Sequence, residues 1–213
     1  MEKIDSKSMC LIMEGIAKSM SENREYLIEL DSVIGDGDLG ITMEKGFRAA
    51  SYFASSNPSL QPGDLLSKGG MEIIKNAPST MGTLMGSGLM YGGKKVSGKN
   101  ELRSSDMILF FEGFLEGVLK RGKAVRGDKT IVDVIYPAVE FMKEYDGFGL
   151  VEIMECALKG AKKGIDDEKS MMSQHGKAAV FREKTIGLKD PGSEAVLVMI
   201  ESIYNSICKM EEK

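Results

Sequence analysis

Apolar residues return at every third or fourth position along this chain, and nowhere do they alternate in twos. Met9, Ile12, Met13, Ile16 and Met20 make a first stripe, and Tyr26, Leu27 and Leu30 continue a second that ends at Asp31. Further stripes run through Met43, Phe47, Ala50 and Ala54, through Leu65, Leu66, Ile73 and Ile74, and through Ile108, Leu109, Phe111, Leu115 and Leu119. The chain closes with Val132 to Met142, with Ile153, Ala157 and Ala161, and with Ala195, Val198, Met199, Ile203 and Ile207. That period belongs to one face of a helix and excludes a half-buried sheet. The fold expected is all-α, with about eight helices. If they run up and down, alternate loops share an end. The loops near 35–40, 122–130 and 187–192 would then meet.

The first of those loops is the most unusual. Within Leu30-Asp31-Ser32-Val33-Ile34-Gly35-Asp36-Gly37-Asp38-Leu39-Gly40-Ile41-Thr42 there are three aspartates and no basic residue. If Asp31, Asp36 and Asp38 converge, each pair of charges ~4 Å apart repels by roughly 4 kcal/mol at an effective dielectric near 20. A hard cation such as Mg²⁺ would relieve that repulsion, and carboxylate oxygens suit it. The helix beginning near Gly40 to Thr42 would point its free N–H groups and positive dipole end into the loop, where an anion can sit. The alternative is a polar helix–helix turn in which Asp36 or Asp38 caps the next helix. An EF-hand is excluded, because the twelfth position counted from Asp36 is Phe47 rather than a glutamate.

The chain has 213 residues and a formal charge of −4. The length suits one domain, 1–213. The charge argues against a nucleic-acid or anionic-membrane partner. Cys10, Cys156 and Cys208 are few, odd in number and far apart, which suits reduced thiols. Met1-Glu2-Lys3-Ile4-Asp5 lacks the basic-then-apolar shape of a signal peptide, and no apolar run is long enough to cross a membrane. A cytoplasmic protein is expected.

Three other stretches stand out. Pro78 to Gly88 places three glycines and four hydroxyls in an apolar segment, fit either for close helix packing or for the wall of a flat ligand. Gly127-Asp128-Lys129-Thr130 reads as a solvated turn or as a ligand contact. Asp190-Pro191-Gly192 is a strong helix start. Asp166-Asp167-Glu168-Lys169 reads as a solvated loop, and Ser104-Ser105-Asp106 as an N-cap. His175, the only histidine, is expected on the surface.

Taken together, these motifs resemble the L subunit, the nucleotide-binding subunit, of dihydroxyacetone kinase. The resemblance runs over the whole chain. It rests on Leu30-Asp31…Gly35-Asp36-Gly37-Asp38…Gly40-Ile41, on Gly127-Asp128-Lys129-Thr130…Asp133…Pro137-Ala138, and on Thr185-Ile186-Gly187…Asp190-Pro191-Gly192. It implies a closed barrel of eight antiparallel helices with ADP or ATP at one end. It assigns Asp31, Asp36 and Asp38 to two Mg²⁺ ions on the phosphates, and Leu39, Gly40, Ile41 and Thr42 to the phosphate-contacting helix start. Gly82, Thr83, Leu84, Met85, Gly122, Thr130, Asp190, Pro191 and Gly192 match segments around the nucleotide. Lys184 stands where the family commonly has an arginine. Leu39 and Leu188 depart from the family, which usually has histidines there.

The resemblance implies a kinase subunit that works with a K subunit holding the sugar. A phosphocarrier M subunit of the sugar phosphotransferase system would recharge the bound nucleotide, and the subunit would be a homodimer. Other readings it leaves open are an ATP-using subunit for another keto sugar such as erythrulose, a nucleotide sensor that binds a regulator, and the nucleotide domain of a fatty-acid kinase.

Overall fold

The computed structural model of the chain describes residues 2–212. Among them are nine α-helices: α1 Ser6–Glu22, α2 Arg24–Ile34, α3 Leu39–Ser56, α4 Pro62–Asn76, α5 Thr80–Lys95, α6 Ser104–Gly122, α7 Ile131–Lys143, α8 Leu150–Glu168 and α9 Pro191–Glu211. A 3-10 segment, Ala178–Thr185, precedes α9. The only strand-like pairing among the described residues is one antiparallel bridge, Ile4 to Leu102. The expected all-α class holds. Eight of the helices are long, and α2 is the extra one, a short helix split from α1 at Asn23.

The helices alternate in direction, and glycine contacts show it. A Cβ on Gly63 would meet Gly93 and Val96, and one on Gly70 would meet Gly86 and Met90, so α4 and α5 run antiparallel. Gly92 lies on Phe110 and Gly88 on Phe114, which sets α5 against α6 in the same sense. Gly160 packs on Pro137 and Gly164 on the Asp133 carbonyl, so α7 and α8 do likewise. Pro137 cannot donate to the Asp133 carbonyl one turn back, and Gly164 lets α8 approach that freed group. Each long helix packs on the next in sequence, with α1 on α3, and α9 returns against α1.

This resolves the small-residue stretch in favour of packing along most of its length. Gly86, Gly88, Gly92 and Gly93 are all buried in α5. A Cβ at Gly70 would stand 2.5 Å from the Gly86 carbonyl oxygen and 2.9 Å from the Met90 nitrogen, both backbone atoms that cannot turn aside. Gly70→Ala will therefore lower stability by about 2–3 kcal/mol, read as a fall in the denaturation midpoint without a change in slope. An unchanged midpoint would disprove this account of the α4–α5 contact.

The apolar stripes converge on one core, with Met20, Leu27, Met43, Leu65, Ile73, Met85, Phe111, Phe114 and Met199 inaccessible to solvent. No helix among the described residues is long and apolar enough to cross a membrane. Helix ends behave as their residues dictate, with one shift: α6 begins at Ser104 and is capped from Arg103, whose N–H donates to Asp106 at 3.0 Å.

Candidate functional site

The ends of four alternate helices, α3, α5, α7 and α9, gather at one pole of the bundle, and α2 lies across it. The glutamate side chain of Glu44 in α3 ties the end of α1 to the pole: it accepts from the Ser21 hydroxyl and pairs with Arg24 at 3.2 Å. A Cβ on Gly192 would touch Met81 and Ile131 at 3.1 Å each, so the starts of α9, α5 and α7 meet. One on Gly122 would touch Leu84 at 3.0 Å, bringing the end of α6 to the same place. Loops 122–130 and 187–192 meet, since the Lys129 ammonium donates to the Leu188 carbonyl at 2.7 Å, and the aspartate loop is joined to them through Lys177, which pairs with Asp36.

At this pole, oxygens of Asp31, Asp36 and Asp38 lie within 4.8 Å of one another. Leu27 is buried and Asp31, one turn on, is half-buried at the core's rim. Asp36 and Asp38 are exposed. Two glycines permit the fold of the loop. Gly37 has φ +71°, a left-handed value that L side chains rarely adopt. A Cβ on Gly40 would stand 2.1 Å from the Arg24 carbonyl oxygen, so only glycine lets α2 cross so close to α3.

The hydrogen bonds separate the two readings of this loop. Asp38 occupies the N-cap position of α3 but makes no side-chain cap bond. That work falls to Asp31, whose Oδ2 accepts from the Asp38 and Leu39 N–H groups at 3.1 and 3.3 Å. Asp36 instead pairs with the ammonium of Lys177, and that pairing holds its carboxyl below the usual range. The Asp38 carboxyl is pushed up, first by partial burial and then by the charges of Asp36 and Asp31. Two of the three carboxylates thus stand free of capping duty and repel each other. Three converging oxygen donors, whose repulsion Lys177 relieves only in part, fit a hard divalent cation.

Other expected site residues fall as follows. Leu39, Gly40 and Met85 are buried, and the side chains of Leu39 and Met85 belong to the core. Ile41 is exposed, Thr42, Thr83 and Leu84 are half-buried, and Gly82 sits at the first turn of α5 where Ser79 accepts from its N–H. Thr130 caps α7, accepting from Val132, while Asp133 accepts from the Thr130 N–H at 2.9 Å. Asp190 caps α9, accepting from Ser193 at 2.8 Å. Lys184 is exposed and is joined to none of these residues by a hydrogen bond or ion pair.

Two expectations are corrected. Glu168 is no solvated-loop residue: it ends α8, is fully buried, and its Oε1 accepts from the Asp190 N–H at 3.0 Å. Burial, then the Asp190 charge, pushes its carboxyl up to about 8. Burial likewise raises Asp190 to about 6. Lys129, in the supposedly solvated turn, is only 1% exposed. His175 is on the surface as expected, bound to Asp128 at 2.8 Å. Lys177 carried no sequence signal, since it sits in a polar run like any solvated lysine. Glu168 did carry one: it follows Ala161 and Ile165 at helical spacing on the buried face of α8.

A surface groove between Lys95, Glu112, Glu116, Tyr136 and Lys143 runs along the flank of the bundle and shares no residue with this pole.

The DAK2 domain family matches residues 33–205. The PEP-dependent dihydroxyacetone kinase 2, ADP-binding subunit DhaL, of Listeria innocua serovar 6a is 30% identical over 209 residues, covering 97% of both chains. The Escherichia coli K12 protein named PEP-dependent dihydroxyacetone kinase, ADP-binding subunit DhaL, is 28% identical, covering 86% of this chain and 88% of its own. Among solved structures, the dihydroxyacetone kinase from C. freundii in complex with AMP-PNP and Mg²⁺ has the same fold, with a TM-score of 0.69 at 21% identity. The alignment covers 93% of this chain but only 33% of that one, so this chain spans about a third of the crystallised protein. A family match across most of the chain and an end-to-end relative agree with the motifs: this protein belongs to the DAK2-domain family, with the DhaL-type subunits of dihydroxyacetone kinase among its relatives.

Proposed function

We propose that the chain is the ADP- or ATP-binding phosphoryl-transfer subunit of a dihydroxyacetone or other short keto-sugar kinase, and that its nucleotide lies at the pole described above. The observation that carries this reading is the convergence of Asp31, Asp36 and Asp38 at the start of α3. Those three residues would hold two Mg²⁺ ions, which when bound would neutralise and polarise the phosphate chain. The chain's own groups do the rest. N–H groups of Gly40 and Ile41 face the phosphates from the helix start, with the dipole favouring negative charge, and Thr42, whose N–H donates to the Asp38 carbonyl at 2.9 Å, offers its hydroxyl. Lys177, freed from Asp36 once cations occupy the trio, adds a mobile positive charge beside them. Gly82, Thr83 and Leu84 of α5, Gly122, Thr130 and the Asp190-Pro191-Gly192 turn border the nucleotide, while the Met85 side chain stays in the core.

In this reading one domain spans 1–213 and the ring of helix neighbours closes as an eight-helix barrel, with α2 across its end. A K-type subunit holds the sugar and supplies the acceptor hydroxyl. A phosphocarrier M subunit recharges bound ADP, because the separate-chain relatives are named PEP-dependent. The subunit is a cytoplasmic homodimer.

A titration of the purified chain with ADP, with and without Mg²⁺, tests the site. Tight uptake only with Mg²⁺ is expected, and uptake indifferent to Mg²⁺ would refute the reading. Mixing the chain with a K-type subunit and either phosphorylated carrier or ATP then identifies the donor. A second reading, a non-catalytic nucleotide sensor, is favoured by the apolar Leu39 and Leu188 at positions the family usually gives to histidine. Sugar phosphorylation in that mixture, lost on Asp36→Ala, would exclude it.

A further inference from the structure

The segment 171–190 runs from the end of α8 to the start of α9 and delivers Lys177 to Asp36 and Asp190 to the α9 cap. Its only buried residues are Ser173 and Thr185, both polar. A segment without apolar anchors has low local stability unless polar bonds fasten it. Its own bonds are few: Thr185 takes the Ser173 N–H at 3.0 Å, and the Gly187 N–H reaches the Lys169 carbonyl at 2.7 Å. The Gln174 N–H reaches the Asp128 carbonyl at 3.0 Å.

Surface pairings add to these, His175 with Asp128 and Lys189 with Glu194 at 2.8 Å each, and the Asp190 N–H donates to Glu168 at 3.0 Å. Three of the segment's own carbonyls are held by one buried side chain. The ammonium of Lys129 donates to the carbonyls of Thr185 and Leu188 at 2.7 Å each and of Met171 at 3.3 Å. An ammonium has three N–H bonds, so all three are used, and all three partners lie in this one segment. Lys129 makes no ion pair among the described residues; the acidic groups that act on it are Glu168 and Asp190. Its backbone has φ +58°, an unfavourable value for a residue with a Cβ. Glycine would adopt that turn without strain, so a lysine there is explained by what its side chain does inside.

We propose that Lys129 is a positioning residue for the nucleotide pole: its buried ammonium fastens segment 171–190 and so sets Lys177 against the aspartate trio and Asp190 at the start of α9. The consequence for nucleotide rests on the reading above, but the fastening does not.

The test uses the whole chain and two variants. Lys129→Met keeps the length of the side chain and removes its charge and donors. Lys129→Arg keeps charge and donors in a bulkier shape. Without nucleotide, amide exchange at Ser173, Gln174 and Gly187 should quicken at least ~10-fold in Lys129→Met and stay within ~3-fold of wild type in Lys129→Arg, while α4 and α5 keep their protection. With Mg²⁺, the Kd for ADP should rise about 10-fold or more in the methionine variant and recover in the arginine one. The reverse order of the variants would mean packing rather than donation, and would overturn the proposal. So would loss of protection throughout the bundle, or a loosened segment with an unchanged Kd. A wild type with no Mg–ADP affinity sinks the nucleotide reading, and the exchange comparison alone then decides whether Lys129 fastens the segment.

Discussion

Changing Asp36 and Asp38 together to asparagine will remove the magnesium dependence of ADP binding while leaving the helices intact. Both side chains are exposed and neither caps α3, so their loss takes no hydrogen bond from the fold other than the Lys177 pairing of Asp36. With saturating Mg²⁺ the Kd for ADP should rise by ~100-fold or more, because two of the three anionic donors are gone. Without Mg²⁺ the order should invert. In the wild type the trio repels a diphosphate, and the variant's neutral amides do not, so the variant should bind free ADP as well as the wild type or better. This crossing of two titration series is hard to mimic by unfolding, which weakens both. Asp31→Asn is a less clean probe, since the Asp31 carboxylate also accepts from the Asp38 and Leu39 N–H groups. If the double variant keeps a magnesium-dependent affinity, the aspartates are not the cation site.

Much of this pole was legible in the sequence because its parts are local. Three aspartates, glycines between them and a helix start lie within a dozen positions, and their convergence needs no long-range pairing. The helical period likewise foretold every long helix but α5, whose small residues leave no apolar stripe to read, since the others each bury one stripe against their neighbours. What escaped was what depends on the third dimension. Pro78 to Gly88 could pack or bind, and only the neighbours, the Gly70 backbone on Gly86 and the Phe114 ring on Gly88, show the packing at its end. Lys129 and Glu168 sit in charged runs, and burial of a charge is a property of what folds over it. The 171–190 segment covers both, and its irregular course carries no period to read. Lys184 and Lys177 lie seven residues apart in that same segment, and sequence alone offered no reason to choose the one that reaches Asp36.

Raising the pH from about 5.5 to about 8 will destabilise this protein, and Glu168→Gln will flatten that slope. Glu168 is fully buried, and among the described residues one of its oxygens, Oε2, has no partner at hydrogen-bond geometry. Its folded pKa of about 8 lies above the ordinary value of 4.5. Between those values the folded chain keeps a proton that the unfolded chain has released, so stability falls as pH rises. Each pH unit across the window is worth up to about 1.4 kcal/mol, on the order of 3 kcal/mol from pH 5.5 to 8. Asp190, raised from 3.8 to about 6, adds a slope of the same sign at lower pH. Carboxyls held low, such as Asp5 and Asp128, act oppositely and only in acid, where their protonation removes stability as pH falls. Near pH 7 the buried group is then one ammonium, Lys129, one carboxylate, Asp190, and one neutral acid, Glu168, with no net charge left to bury. Ionising Glu168 breaks that balance, which burial and the Asp190 charge oppose more than Lys129 relieves. Glutamine reproduces the neutral acid and still accepts from the Asp190 N–H. Denaturant midpoints measured from pH 5.5 to 8.5 should therefore fall in the wild type and hold in the variant, which becomes the more stable of the two above pH 8. Parallel curves would mean that Glu168 is ionised throughout, and that a partner for its free oxygen exists in solution.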